Sequence, residues 1–81
     1  MNEKYVVIET GGSIGESANF GRNRIVGSKV YLTKEKATEV RKRMTKAYAG
    51  GYYGYHYSVK TLDWALKNND KIKLEDLTEI A

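Results

Sequence analysis

Val6, Val7 and Ile8 are consecutive β-branched residues within KYVVIE, residues 4–9. Successive side chains of a strand point to opposite faces, so this run puts apolar groups on both sides and needs cover on both. A strand over Lys4 to Glu9 is therefore expected in the middle of a sheet. A chain of 81 residues has little material with which to build such a layered core. Read as a single domain over residues 1–81, it buries only ~60–65% of its unfolded surface.

Glycine is the main punctuation, because the chain has no proline. Residues 10–24 contain Gly11, Gly12, Gly15 and Gly21 and little periodicity, which reads as a long loop or a floppy hairpin extension. Ile25 to Leu32 reads as a second strand interrupted at Gly27-Ser28, with Val30 and Leu32 on one face and Lys29 and Tyr31 on the other. Thr33 is placed as an N-cap for a helix reaching about Ala49. Ala37, Val40, Met44, Ala47 and Tyr48 fall in one arc at 100° per residue and form its expected buried stripe, and Gly50 suits a left-handed C-terminal cap. Tyr52 to about Lys60 reads as an aromatic third strand. Thr61 to Asn68 reads as a short helix carrying Leu62, Ala65 and Leu66 beside Trp64. Leu74, Leu77 and Ile80 have roughly helical spacing. The expected fold class is α+β: a small ββαβ domain with a three-stranded antiparallel sheet in the order 2-1-3. One amphipathic helix packs on a face, and a short C-terminal helical segment follows. The second face is left to residues 61–81, a second copy or a partner.

Composition removes several kinds of chemistry. Without cysteine and with one histidine, neither a disulfide framework nor a structural zinc site is expected. The apolar run near the start is too short for a signal peptide or a membrane span, so a cytoplasmic protein with no membrane partner is expected. A net charge of +4 favours an acidic partner and argues against a surface that mimics DNA. No cofactor, metal or catalytic residue is expected. The stretch ETGGSIG, residues 9–15, resembles the strand-loop start of bacterial-type asparaginases, in which Ser13 would match the nucleophile. That family also needs a second threonine, an acid and a lysine much further along, for which this chain has no matching segment, so Ser13 lacks an activating base and the match is set aside. The same glycines lead into polar loop and then a strand, not into the helix that a phosphate cradle requires. His56 has no companion for metal or general-base work.

Three features could make contacts. Phe20, Arg22, Asn23 and Arg24 place the only phenylalanine beside cations on a loop, an anchor set for an acidic partner, with Tyr52 and Tyr53 beside Gly50-Gly51 at the sheet edge. Tyr53, Tyr55 and Tyr57 share one face of the third strand and either stack on bases or pack against the helix. With Arg41, Lys42 and Arg43 they compose an alternative nucleic-acid site. On the helical wheel those charges disperse: Lys34 and Arg41 flank the apolar arc on one side, Lys36 and Arg43 on the other, and Glu39 stands four residues before Arg43, spaced for an ion pair.

The stretch KVYLTKEKATEVRKRMTKAYAGGYYGYHY, within residues 28–59, resembles small proteins encoded by phages and mobile elements of Gram-positive bacteria. In these a strand ending in a KVY-like run leads through TKE into a helix, and a tyrosine-rich strand follows. The resemblance implies a protein that binds and blocks host machinery, CRISPR effectors included, or that binds nucleic acid. The expected function is accordingly a non-enzymatic inhibitor or modulator acting in the host cytoplasm on a host protein or nucleoprotein complex. The alternative is a single-stranded nucleic-acid binder, and a homodimer is the third candidate assembly.

Overall fold

The computed structural model describes residues 3–11, 24–48, 55–69 and 71–80. It is a small α+β structure built on a mixed five-stranded sheet, with one helix on each face. Strand β1 (Tyr5–Thr10) is its centre. Strand β4 (His56–Thr61) pairs antiparallel along the whole of β1, from Tyr5↔Thr61 to Thr10↔His56. The opposite edge of β1 takes two short strands in succession, β2 (Arg24–Ile25) opposite Ile8 and Glu9, then β3 (Lys29–Tyr31) opposite Tyr5. Strand β5 (Thr78–Ile80) lies parallel to β3 and ends the sheet on that side.

This differs from the expected three-stranded antiparallel sheet in two respects. The expected second strand, Ile25 to Leu32, is broken by a 3-10 turn at Val26–Ser28. Gly27 and Ser28 adopt φ of +65° and +54°, in the left-handed region that glycine tolerates and other residues adopt at a cost. The chain therefore leaves β1 for three residues and rejoins it. The second difference is β5. Leu74, Leu77 and Ile80 do not form a helical stripe: Leu74–Asp76 make one 3-10 turn, closed by Leu77 N–H donating to the Leu74 carbonyl at 3.1 Å. The backbone then extends, so Leu77 packs with the core on one sheet face and Ile80 with the core on the other.

Helix α1 (Lys34–Tyr48) covers one face. Thr33 caps it as expected, its hydroxyl accepting from the Lys36 N–H at 3.2 Å. Ala37 is fully buried, and Val40 and Met44 pack with Val7, Tyr31 and Tyr57 beneath. The expected stripe extends too far, since Ala47 and Tyr48 are exposed on the last turn. Gly50 lies outside the described residues.

The second face is covered from within the chain. Helix α2 (Leu62–Asn68) begins where β4 ends, with Thr61 serving as last strand residue and as N-cap, its hydroxyl accepting from the Trp64 N–H at 3.2 Å. The Leu62 N–H donates to the Lys4 carbonyl at 2.8 Å and fastens this corner to β1. Ala65 is fully buried against Val6, Ile8, Ile25 and Val30, with Leu62, Trp64, Ile72 and Leu77 packed around them. Lys60, on the same face, holds its ammonium 4.9 Å from the centroid of the Trp64 ring. Replacing the cap, Thr61→Ala, is expected to destabilise the fold by ~1 kcal/mol, read as a lower urea midpoint with an unchanged slope. A loss below ~0.3 kcal/mol would show that α2 is held by packing alone.

Candidate binding surface

Alternation along β1 sends Tyr5, Val7 and Glu9 toward α1, and Val6 and Ile8 toward α2. Glu9 thus carries a carboxylate to the end of the helix-covered face, where its side chain is only 16% exposed. Two neighbours meet it. The Tyr57 hydroxyl, directly across on β4, donates to Glu9 Oε2 at 2.8 Å. The guanidinium of Arg24, directly across on β2, stands 3.7 Å from Glu9 Oε1. Burial first, then the hydrogen bond to Glu9 and the charge of its carboxylate, push the Tyr57 hydroxyl far above the ordinary phenol range. A phenol held in that state is a hydrogen-bond donor and a poor base, so the cluster positions groups and offers no proton acceptor of its own at Tyr57.

The registers Glu9↔Arg24 and Thr10↔His56 set the ends of β1, β2 and β4 side by side. Residues 12–23 connect Gly11 to Arg24, and residues 49–54 connect Tyr48 to Tyr55. Three described chain ends, at Gly11, Arg24 and Tyr55, therefore lie at one end of the sheet, beside the Glu9–Tyr57–Arg24 cluster. Phe20, Arg22, Asn23, Tyr52 and Tyr53 are carried by those two segments and lie outside the described residues, as does Ser13. Arg24 is described, and its side chain is 64% exposed. It also lines a groove of about 290 Å³ together with Lys71, Lys73 and Asp76, over Ile25 and Leu77.

The aromatic strand takes the packed arrangement at Tyr57, which is 9% exposed in the core under α1. Tyr55 is half-buried beside it, the ring centroids 6.4 Å apart at a 33° tilt. Tyr57 has no open ring face for a base to stack on. On α1, Arg41 is half-buried while Lys42 and Arg43 are exposed. The expected Glu39–Arg43 ion pair does not form; the ion pairs among the described residues are Arg24–Glu9 and Lys4–Glu79. His56 is exposed at the start of β4. Among the described residues no group of three or more His, Asp or Glu side chains could hold a metal ion, and no helix is long and apolar enough to cross a membrane.

Sequence reasoning missed Glu9 as the organiser of this end. The available signal was its place two residues after Val7, on the inward face of the central strand, where a carboxylate requires a donor. Comparison with known proteins finds no matching family model, no matching curated protein and no matching solved structure.

Proposed function

We propose that this chain is a non-enzymatic binding protein of the phage or mobile-element type, which grips a host protein or nucleoprotein in the host cytoplasm and inhibits or modulates it, as an anti-CRISPR-type protein does. What supports this reading is that Gly11, Arg24 and Tyr55, described residues that flank the two glycine-rich segments, stand at one end of the sheet. A double-covered β1 and the Glu9–Tyr57–Arg24 cluster provide a firm base there, and Arg24 supplies an exposed cation. Loops mounted on a rigid scaffold are where contacts of this kind concentrate, and an aromatic with arginines makes a strong anchor set. Phe20, Arg22, Asn23, Arg24, Tyr52 and Tyr53 are the residues assigned to the contact.

The nucleic-acid alternative through Tyr53, Tyr55 and Tyr57 is the weaker reading, because Tyr57 lies beneath α1. It also predicts binding that weakens steeply with salt, which the competing reading does not require.

The test is affinity capture from a Gram-positive lysate with the full chain immobilised, read by mass spectrometry. A single host protein or complex is expected at stoichiometric yield, and both Phe20→Ala and Arg22→Ala are expected to abolish its capture with the amide spectrum of the fold unchanged. Capture that survives both substitutions overturns the assignment. So does tight binding of a labelled single-stranded oligonucleotide that Tyr55→Ala removes.

A further inference from the structure

A second surface lies away from the loop end, on the α1 side of the β3–β5 edge. Lys29 on β3 and Lys36 and Arg43 on α1 rim a groove of about 320 Å³ whose floor includes Val26, Val40 and Ile80. Its volume is at the small end of ligand sites, which run from ~300 Å³ upward. Each rim cation is placed by the fold. Lys36 and Arg43 stand two turns apart on the same flank of the helix. Lys29 is aimed by the 3-10 turn before it: its aliphatic stem lies over Gly27, with Cγ and Cδ 3.7 Å from where a Cβ there would stand. The short strand β5 brings Ile80 up beside Tyr31 and completes the floor.

Two properties of the groove point to its occupant. The first is charge. Among the described residues no acidic side chain lines it, and none of Lys29, Lys36 and Arg43 has an ion-pair partner within 4.0 Å. The second is the floor: Val26, Val40 and Ile80 are apolar and only half-buried. Covering them would release apolar surface from water, which a phosphodiester backbone cannot do. A long polyanion following the helix would also meet Glu39, which stands between Lys36 and Arg43 in the sequence of α1.

We infer that the groove between α1 and the β3–β5 edge is a docking site for a short acidic peptide segment, an apolar side chain seating on Val26, Val40 and Ile80 while flanking carboxylates meet Lys29, Lys36 and Arg43. This surface shares no residue with the loop end, so the two assignments stand or fall separately.

The experiment pans a random hexapeptide library against the immobilised full chain, then measures the enriched peptide, fluorescein-labelled, by polarisation. Enriched peptides are expected to carry at least two acidic residues within three positions of a leucine, isoleucine or phenylalanine. Their binding is expected to weaken about tenfold or more in the double variant Lys29→Glu/Arg43→Glu, and to fall when salt rises from about 0.05 to 0.5 M. Perturbed amide signals on peptide addition are expected to cluster at Lys29, Tyr31, Lys36, Val40, Arg43 and Ile80. All of these rim substitutions are at the surface, and an unchanged amide spectrum of the free variant shows that the fold is intact. Should the double variant unfold, Lys36→Gln with Arg43→Gln replaces it, with a loss of several-fold expected. The inference is overturned if no peptide is enriched, if enriched peptides lack acids, if charge reversal leaves their affinity unchanged, or if a labelled oligothymidine perturbs the same amides and displaces the peptide.

Discussion

Ile8→Ala is expected to be the most damaging single truncation in the chain, costing ~3–4 kcal/mol within the ~2–5 kcal/mol range of buried isoleucine deletions. Ile8 is 1% exposed and belongs to the core that joins β1 to α2. Its neighbours there are Val6, Ile25 and Val30 on the sheet and Ala65 on the helix, and the cavity cannot be filled by the short Ala65 side chain. Stability of ~0.05–0.15 kcal/mol per residue gives a chain of this size roughly 4–12 kcal/mol in total, so one truncation removes a large share of it. Chemical denaturation at neutral pH measures this directly. A loss under ~1 kcal/mol would mean that α2 does not close over β1 as described.

The second large effect comes from one hydroxyl. Tyr57→Phe keeps the ring in the core but withdraws the donor from Glu9 Oε2, leaving a nearly buried carboxylate with only the longer Arg24 contact. Hydrogen bonds to charged groups contribute ~1.5–3 kcal/mol, and a loss of that size is expected at pH 8. The gap must then depend on alkalinity. In the folded protein the Tyr57 proton is held above the ordinary phenol value of ~10, first by burial and then by Glu9, whereas in the unfolded chain it is lost near that value. Above that pH the unfolded state binds fewer protons than the native state, and stability falls as pH rises. The contribution of Tyr57 is thus fully present below pH ~10 and drains away above it. Urea titrations of both proteins at pH 8 and at pH 11 are expected to show the wild-type advantage shrinking. An advantage that is constant or growing between those values would contradict the Glu9 hydrogen bond.

Much of this fold was legible because local and tertiary signals agreed. Val6-Val7-Ile8 announced a strand covered on both faces, and the structure puts α1 over Val7 and α2 over Val6 and Ile8. The Thr33 cap and the spacing from Ala37 to Met44 located α1, and Thr61 to Asn68 located α2. The C-terminus was illegible for a definable reason. Three apolar residues spaced by three fit a helix, but a 3-10 turn followed by an extended stretch puts Leu77 and Ile80 on opposite faces of a sheet with the same spacing. Only the partner strand β3 decides between them. The cationic groove was half visible, since the wheel already set Lys36 and Arg43 on one flank; that Lys29 would face them depends on the left-handed turn at Gly27. Composition marked Phe20 and its arginines as contact candidates, whereas the Glu9–Tyr57–Arg24 cluster follows from strand register, which no local pattern encodes.

The pairing of β1 with β4 also governs when this protein can fold. Strand β1 is the centre of the sheet, yet its full-length neighbour β4 and the helix α2 that seals its second face come after β2, β3 and α1 in the chain. Closing so wide a loop is entropically costly, and contacts between sequence-distant segments slow the search for the native state. Until β4 and α2 have been made, Val6, Val7 and Ile8 have only β2, β3 and α1 for shelter, so the nascent chain carries a bare apolar strand edge. The sheet closes only once β4 and α2 have been made, and the interval before that is when a chaperone has most to do.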